Sequence, residues 1–183
     1  MWVAKEQTGR TATSVEGGSM DAVVQGIAEH LDEVWSSLLD ALRTVDDDLF
    51  QWSPGAEFNS IALLLRHLAG SERWWIGEAV GGIPAHRNRE AEFVHDSPKR
   101  EDVLRSIEEA RTRSRGVLAG LTAADLAAPI TSPASAAPAR PTKMWALFHY
   151  LAHLGYHCGQ ILLLRNLGRK MAAAQQGGPA APR

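Results

Sequence analysis

The sequence predicts an all-α protein, a four-helix bundle with long connections after its second and third helices, and three observations carry that expectation. Apolar residues recur at steps of three and four in four separate segments, the period of an amphipathic helix. No segment alternates apolar and polar residues convincingly enough to read as a half-buried strand. Clusters of Gly, Pro, Ser and Asn punctuate the periodic segments. The first helix, about 21–46, presents Ile27, Leu31, Val34, Leu38, Ala41 and Val45, and the run Asp46-Asp47-Asp48 before Ser53-Pro54-Gly55 is read as its stop. The second begins after Asn59-Ser60, either of which can accept from the free amides of a first turn, and runs to about Glu78. Gly81-Gly82-Ile83-Pro84 ends it, and the polar connection 80–98 is long enough to be a functional loop or lid. The third starts near Ser97-Pro98-Lys99 with the face Val103, Ile107, Ala110, Ser114, Val117 and Leu121. Thr122 and Asp125 form a short capped turn, and residues 127–141, with four Pro, form a crossover. The fourth helix, about 142–167, carries Leu147, Leu151, Leu154, Ile161 and Leu164.

The 183 residues suit a single domain, expected over 20–170 between disordered tails at 1–19 and 171–183. With 19 Lys and Arg against 21 Asp and Glu, the net charge of −2 gives no electrostatic case for a nucleic-acid partner. No apolar run approaches the roughly 18 residues needed to cross a bilayer, so no membrane partner is expected. The start of the chain lacks the apolar stretch of a secretory signal, which makes a cytoplasmic protein the expectation. The single Cys158 cannot form an internal disulfide.

Chemistry is expected where the histidines gather. His149, His153 and His157 are spaced by four, and each such step advances about 40° around a helix, so the three imidazoles lie on one inclined stripe. Two His one turn apart can hold one metal ion, and a third ligand must then come from another helix. His67 is the natural donor, because it stands within the apolar run Leu63-Leu64-Leu65-Arg66-His67-Leu68-Ala69, where a bare imidazole has no obvious partner. The bland alternative is a set of surface or backbone-bonded histidines. Ser71 and Trp74, four and seven residues after His67, share its helical face and are candidates for a substrate pocket, although Trp74 also suits core packing. Arg87, Arg89 and Glu92 in the long connection either meet an anionic substrate or are simply solvated.

Two segments resemble a known family. Ala146-Leu-Phe-His149-Tyr-Leu-Ala-His153-Leu-Gly-Tyr-His157-Cys-Gly159-Gln160-Ile161 is similar to the last-helix motif of the DinB/YfiT-like superfamily, in which His-x-x-x-His is followed by x-Gly-Gln-Ile. Asn59 through Ile76 resembles the family's second-helix motif, and Arg87-Asn-Arg-Glu-Ala-Glu-Phe93 a segment that follows it; the similarity spans about 21–168. The resemblance implies a helical bundle holding a divalent ion, often zinc or nickel, through His67, His153 and His157. It also implies a homodimer. Family members include S-transferases that use bacillithiol or mycothiol and a mycothiol-dependent maleylpyruvate isomerase. The isomerase branch has a carboxylate at the position of His153, so the all-His set here departs from it. Fifteen Arg against four Lys, with abundant Ala, suggest a GC-rich genome and so lean toward mycothiol over bacillithiol.

The expected function is therefore that of a metal-dependent enzyme on a small molecule, a thiol S-transferase first. Three neutral imidazoles leave a divalent ion its full charge and an open position, an arrangement suited to turning a thiol into a thiolate at neutral pH. His149, one turn before the expected ligands, is a candidate base or a hydrogen-bonding support for them. A metal-dependent lyase, hydrolase or isomerase is the alternative among enzymes; a metal- or ligand-binding stress or resistance protein is the alternative outside them. Ala152, Gly155 and Gly159 lie away from the His stripe and predict a close helix contact, with a neighbour in the same bundle or a second subunit.

Overall fold

A computed structural model describes residues 21–131 and 141–176, so the expected tail at 1–19 and most of the 127–141 crossover lie outside the described residues. The described residues hold five α-helices: α1 (Ala22–Leu42), α2 (Asp47–Gln51), α3 (Ile61–Glu72), α4 (Arg100–Ala119) and α5 (Lys143–Gln176). Among them no helix is long and apolar enough to cross a membrane. The four long helices pack in a ring, α1 against α4 and α5, and α3 against the same two from the opposite side.

Side-chain caps set the starts. Asp21 accepts from the Val23 amide at 3.0 Å at the head of α1, and Ser60, rather than Asn59, accepts from Leu63 at 3.3 Å at the head of α3. The acidic triplet is a start rather than a stop: Asp46 accepts from the Leu49 amide at 2.8 Å and opens α2, a helix the sequence reading did not anticipate. Phe50 of α2 is buried, and Gly168 lets the segment dock, since a Cβ there would lie 2.2 Å from Leu49. The core stripe of α1 runs through Val24, Ile27, Leu31, Trp35, Leu38 and Leu42, so Trp35 and Leu42 take the central positions expected of Val34 and Ala41. The Thr122–Asp125 turn forms as expected, with Thr122 donating to Asp125 through both its amide and its hydroxyl.

Three further findings revise the sequence reading. Helix α3 does not end near Glu78 as an α-helix but passes at Arg73 into a π-helical stretch, Arg73–Val80. Helix α5 continues to Gln176, so residues 171–176 are helix rather than tail; 177–183 lie outside the described residues. Ala152, Gly155 and Gly159 are exposed, and a Cβ built on either glycine meets nothing within 4 Å. Among the described residues, then, no neighbouring helix of the chain packs on that stripe.

Candidate metal centre

Helices α3 and α5 face each other so that His67 meets the histidine stripe. The nearest ligand-capable nitrogens of His67, His153 and His157 all lie within 4.8 Å of one another, and the three rings touch, with centroids 4.4–5.0 Å apart. His67 Nε2 and His153 Nε2 are 3.0 Å apart. Tetrahedral zinc with bonds of about 2.0–2.1 Å needs ligand nitrogens roughly 3.3 Å apart, so only small ring rotations separate this arrangement from a coordination site.

The outer ring nitrogens explain why the inner ones converge. His67 Nδ1 donates to Glu92 Oε2 at 2.8 Å, which leaves the lone pair of Nε2 facing His153. His157 Nδ1 donates to Gln160 Oε1 at 2.7 Å, and Gln160 in turn donates to the Tyr156 hydroxyl at 3.1 Å. Both ligands thus carry an acceptor on the side away from the site, the usual companion of a metal-binding imidazole. This donor set fits a divalent ion of intermediate softness, since three neutral imidazoles suit zinc, nickel or copper better than magnesium or calcium. Three histidines here could hold a metal ion.

Glu92 is the residue the sequence reading placed wrongly. It is 7% exposed, not solvated, and reaches His67 from the turn Ala91–Phe93 inside the long connection. Burial by itself raises its pKa, but hydrogen bonds from Arg87 and His67 outweigh that and hold the carboxyl below its ordinary value. Arg87 is spent on this pair, donating Nε to Oε1 at 2.7 Å and Nη2 to Oε2 at 2.8 Å. Arg89 instead lies over the Phe93 ring. The signal that could have found Glu92 is the quoted Arg87–Phe93 segment itself, where a carboxylate stands five residues from an arginine; for Gln160 it is the Gly-Gln-Ile after His157.

The remaining expected site residues fall around this centre in different ways. His149 is half-buried and parallel to His153 at 6.4 Å, with its ring on Trp145 at 4.8 Å and against Trp75 at 4.4 Å. Trp74 packs edge-on against Trp75 at 4.4 Å, and Ser71 is 1% exposed. The π-helical stretch widens the turn after Arg73, which brings Trp75 rather than Trp74 onto His149. Cys158 is half-buried, and burial pushes its thiol up to about 11, which leaves it a poor nucleophile. His86 and His95 are exposed.

Burial first, then the neighbouring His157 and His67, pull the His153 pKa down to about 3. Burial also lowers His157, against the opposing hydrogen bond of Gln160, and lowers His149. In an unfolded chain an imidazole takes its proton near pH 6.5, whereas folded His153 stays neutral until about 3. The unfolded state therefore binds more protons in that window, so the stability held above pH 6.5 is lost as pH falls through it. The metal-free protein is expected to melt several degrees lower at pH 5 than at pH 7.5, and His153→Gln to flatten that slope. Thermal melts of both across this range check it; equal slopes would contradict the assignment of a neutral, buried His153.

The sequence signature of the DinB superfamily matches residues 30–161. No curated protein matches the chain in sequence. Among solved structures, the crystal structure of a conserved protein from Enterococcus faecalis is similar at 15% identity with a TM-score of 0.61, covering 81% of this chain and 98% of that one, a likeness of fold alone. A match over most of the chain, on the two helices that bring His67, His153 and His157 together, places it: the chain belongs to the DinB superfamily.

Proposed function

We propose that the protein is a metal-dependent enzyme that transfers a low-molecular-weight thiol, mycothiol or bacillithiol, to a small electrophile. The observation that carries this is the convergence of three imidazole nitrogens whose outer nitrogens on His67 and His157 are already taken by Glu92 and Gln160. A divalent ion such as zinc or nickel, held by His67, His153 and His157, would supply Lewis acidity that makes a thiol anionic at neutral pH. The chain's own residues do the rest. Glu92 and Gln160 hold two rings in the binding tautomer, while Trp75 and Trp145 hold His149 one turn away. With its pKa lowered by burial, His149 is the neutral base at pH 7 and can take a proton from substrate at a free ring nitrogen. Trp74, edge-on against Trp75 beside this aromatic wall, is a candidate substrate contact, whereas Ser71 is buried.

The test supplies mycothiol or bacillithiol with a panel of alkyl and epoxide electrophiles and follows loss of free thiol. Consumption should stop on chelation, return with zinc or nickel, and fall at least tenfold in His149→Ala with its metal content kept. Thiol loss indifferent to chelation contradicts the transferase reading. Tight stoichiometric ligand binding without turnover would point instead to a non-enzymatic binding protein.

The open face of α5 supports a homodimer. Phe148, Tyr156 and Leu163 are 56–64% exposed and alternate with the small Ala152, Gly155 and Gly159. At 34 residues and 1.5 Å per residue, α5 is about 50 Å long, enough for the roughly 800 Å² per partner of a stable interface. Gly155→Leu meets open space within the chain, so it should leave the monomer's fold intact yet break the dimer by overpacking it. Light scattering should show the mass halved. A mutant of unchanged mass would contradict this interface.

A further inference from the structure

The 81–98 connection is built to deliver one carboxylate. Arg66 pins the backbone at and just after the turn, donating Nε to the Glu92 carbonyl at 3.0 Å and Nη2 to the Val94 carbonyl, while its Nη1 donates to the Asp96 carboxylate at 2.7 Å. Arg87 fixes the side chain through two parallel bonds, the geometry that leaves a carboxylate least freedom. Helix α3 is hollowed to receive it: a Cβ on Gly70, three residues after His67, would lie 2.0 Å from Glu92 Oε1. The cost of a glycine inside a helix then has a local reason. The Phe93 ring covers His67 from the same turn at 4.7 Å.

We infer that Glu92 is a positioning residue for the metal centre, selecting the His67 tautomer that carries its proton on Nδ1 and turns the Nε2 lone pair inward, with Arg87 and Gly70 acting through it. The inference rests on the metal-binding reading of His67. A neutral imidazole has two tautomers, and an ionised carboxylate can only accept, so its place beside Nδ1 fixes which nitrogen keeps the hydrogen. His153 Nε2 then donates to His67 Nε2 in the absence of an ion, and that bond marks the direction in which the lone pair is offered. Gly70 touches no ligand, yet its methylation would reach the metal through Glu92.

Two readouts on the full-length protein test this: zinc affinity against a competing chelator, and the ring-nitrogen NMR pattern of His67 before and after zinc. Wild-type His67 should show the Nδ1–H tautomer in both states. Glu92→Ala and Gly70→Ala should weaken zinc binding about 10- to 100-fold and mix the His67 tautomers. Glu92→Gln, whose carbonyl still accepts from Nδ1–H, should recover most of the affinity. Unchanged affinity and tautomer in both Glu92→Ala and Gly70→Ala would overturn the inference. Should those variants not fold, an Nε2–H tautomer in metal-free wild type would overturn it alone. A wild type that binds no zinc but shows the Nδ1–H tautomer would sink the metal reading while leaving the role of Glu92 in orienting His67 intact.

Discussion

Glu72→Ala is expected to cost about 3–5 kcal/mol of stability, the largest single loss outside the apolar core, because it uncouples a buried network that joins all four long helices. The Glu72 carboxylate is 2% exposed and accepts from Trp35 Nε1 of α1 at 2.6 Å and from the Tyr150 hydroxyl of α5 at 2.7 Å. Arg111 of α4, 8% exposed, gives Coulombic support and donates to Asp32 of α1 at 3.0 Å. Without the carboxylate, a buried indole N–H and a buried phenol lose their acceptor, each costing about 1–3 kcal/mol. For a domain of this size, about 1 kcal/mol moves the midpoint roughly 2–4 °C, so the variant should melt about 10 °C lower. A double-mutant cycle with Tyr150→Phe should show coupling above about 0.5 kcal/mol, as expected of residues in one network. A midpoint within 2 °C of wild type would contradict the network's structural role.

The second large effect separates ligands from neighbours. His67→Ala, His153→Ala and His157→Ala should each weaken zinc binding by more than about 100-fold, beyond what loss of a supporting hydrogen bond usually costs. His149→Ala should change it less than about tenfold, because the His149 ring lies among Trp75, Trp145 and the face of His153 rather than among the converging nitrogens. Chelator competition on the four variants gives both numbers. If His149→Ala loses zinc as severely as His157→Ala, His149 is a ligand and the set of three is wrong.

What the sequence disclosed and what it hid divide along range. The four long helices and the His stripe were legible because period and spacing are local properties, and the meeting of His67 with that stripe followed from an apolar run that left the imidazole no other partner. Glu92 was not legible as the partner of His67, since 25 residues and a turn separate them and, with Arg87 and Arg89, it reads either as a contact for an anionic substrate or as solvated charge. Helix α2 hid because three Asp in a row look like a helix stop, whereas the first of them caps a new one. The register of Trp74 and Trp75 depended on the π-helical stretch, which breaks the 3.6-residue period that the sequence argument assumed. The α5 glycines predicted a close helix contact, and among the described residues none forms there, because small residues permit a close approach without requiring one.

The most direct measurement is X-ray absorption at the zinc edge on the zinc-loaded protein, wild type beside a triple His67→Ala, His153→Ala, His157→Ala variant. The account predicts about one zinc per chain with three imidazole nitrogens at about 2.0–2.1 Å and a fourth nitrogen or oxygen ligand in wild type, and no stoichiometric zinc in the triple variant. Equal zinc content in the two proteins, or a wild-type spectrum without imidazole scattering, would contradict it.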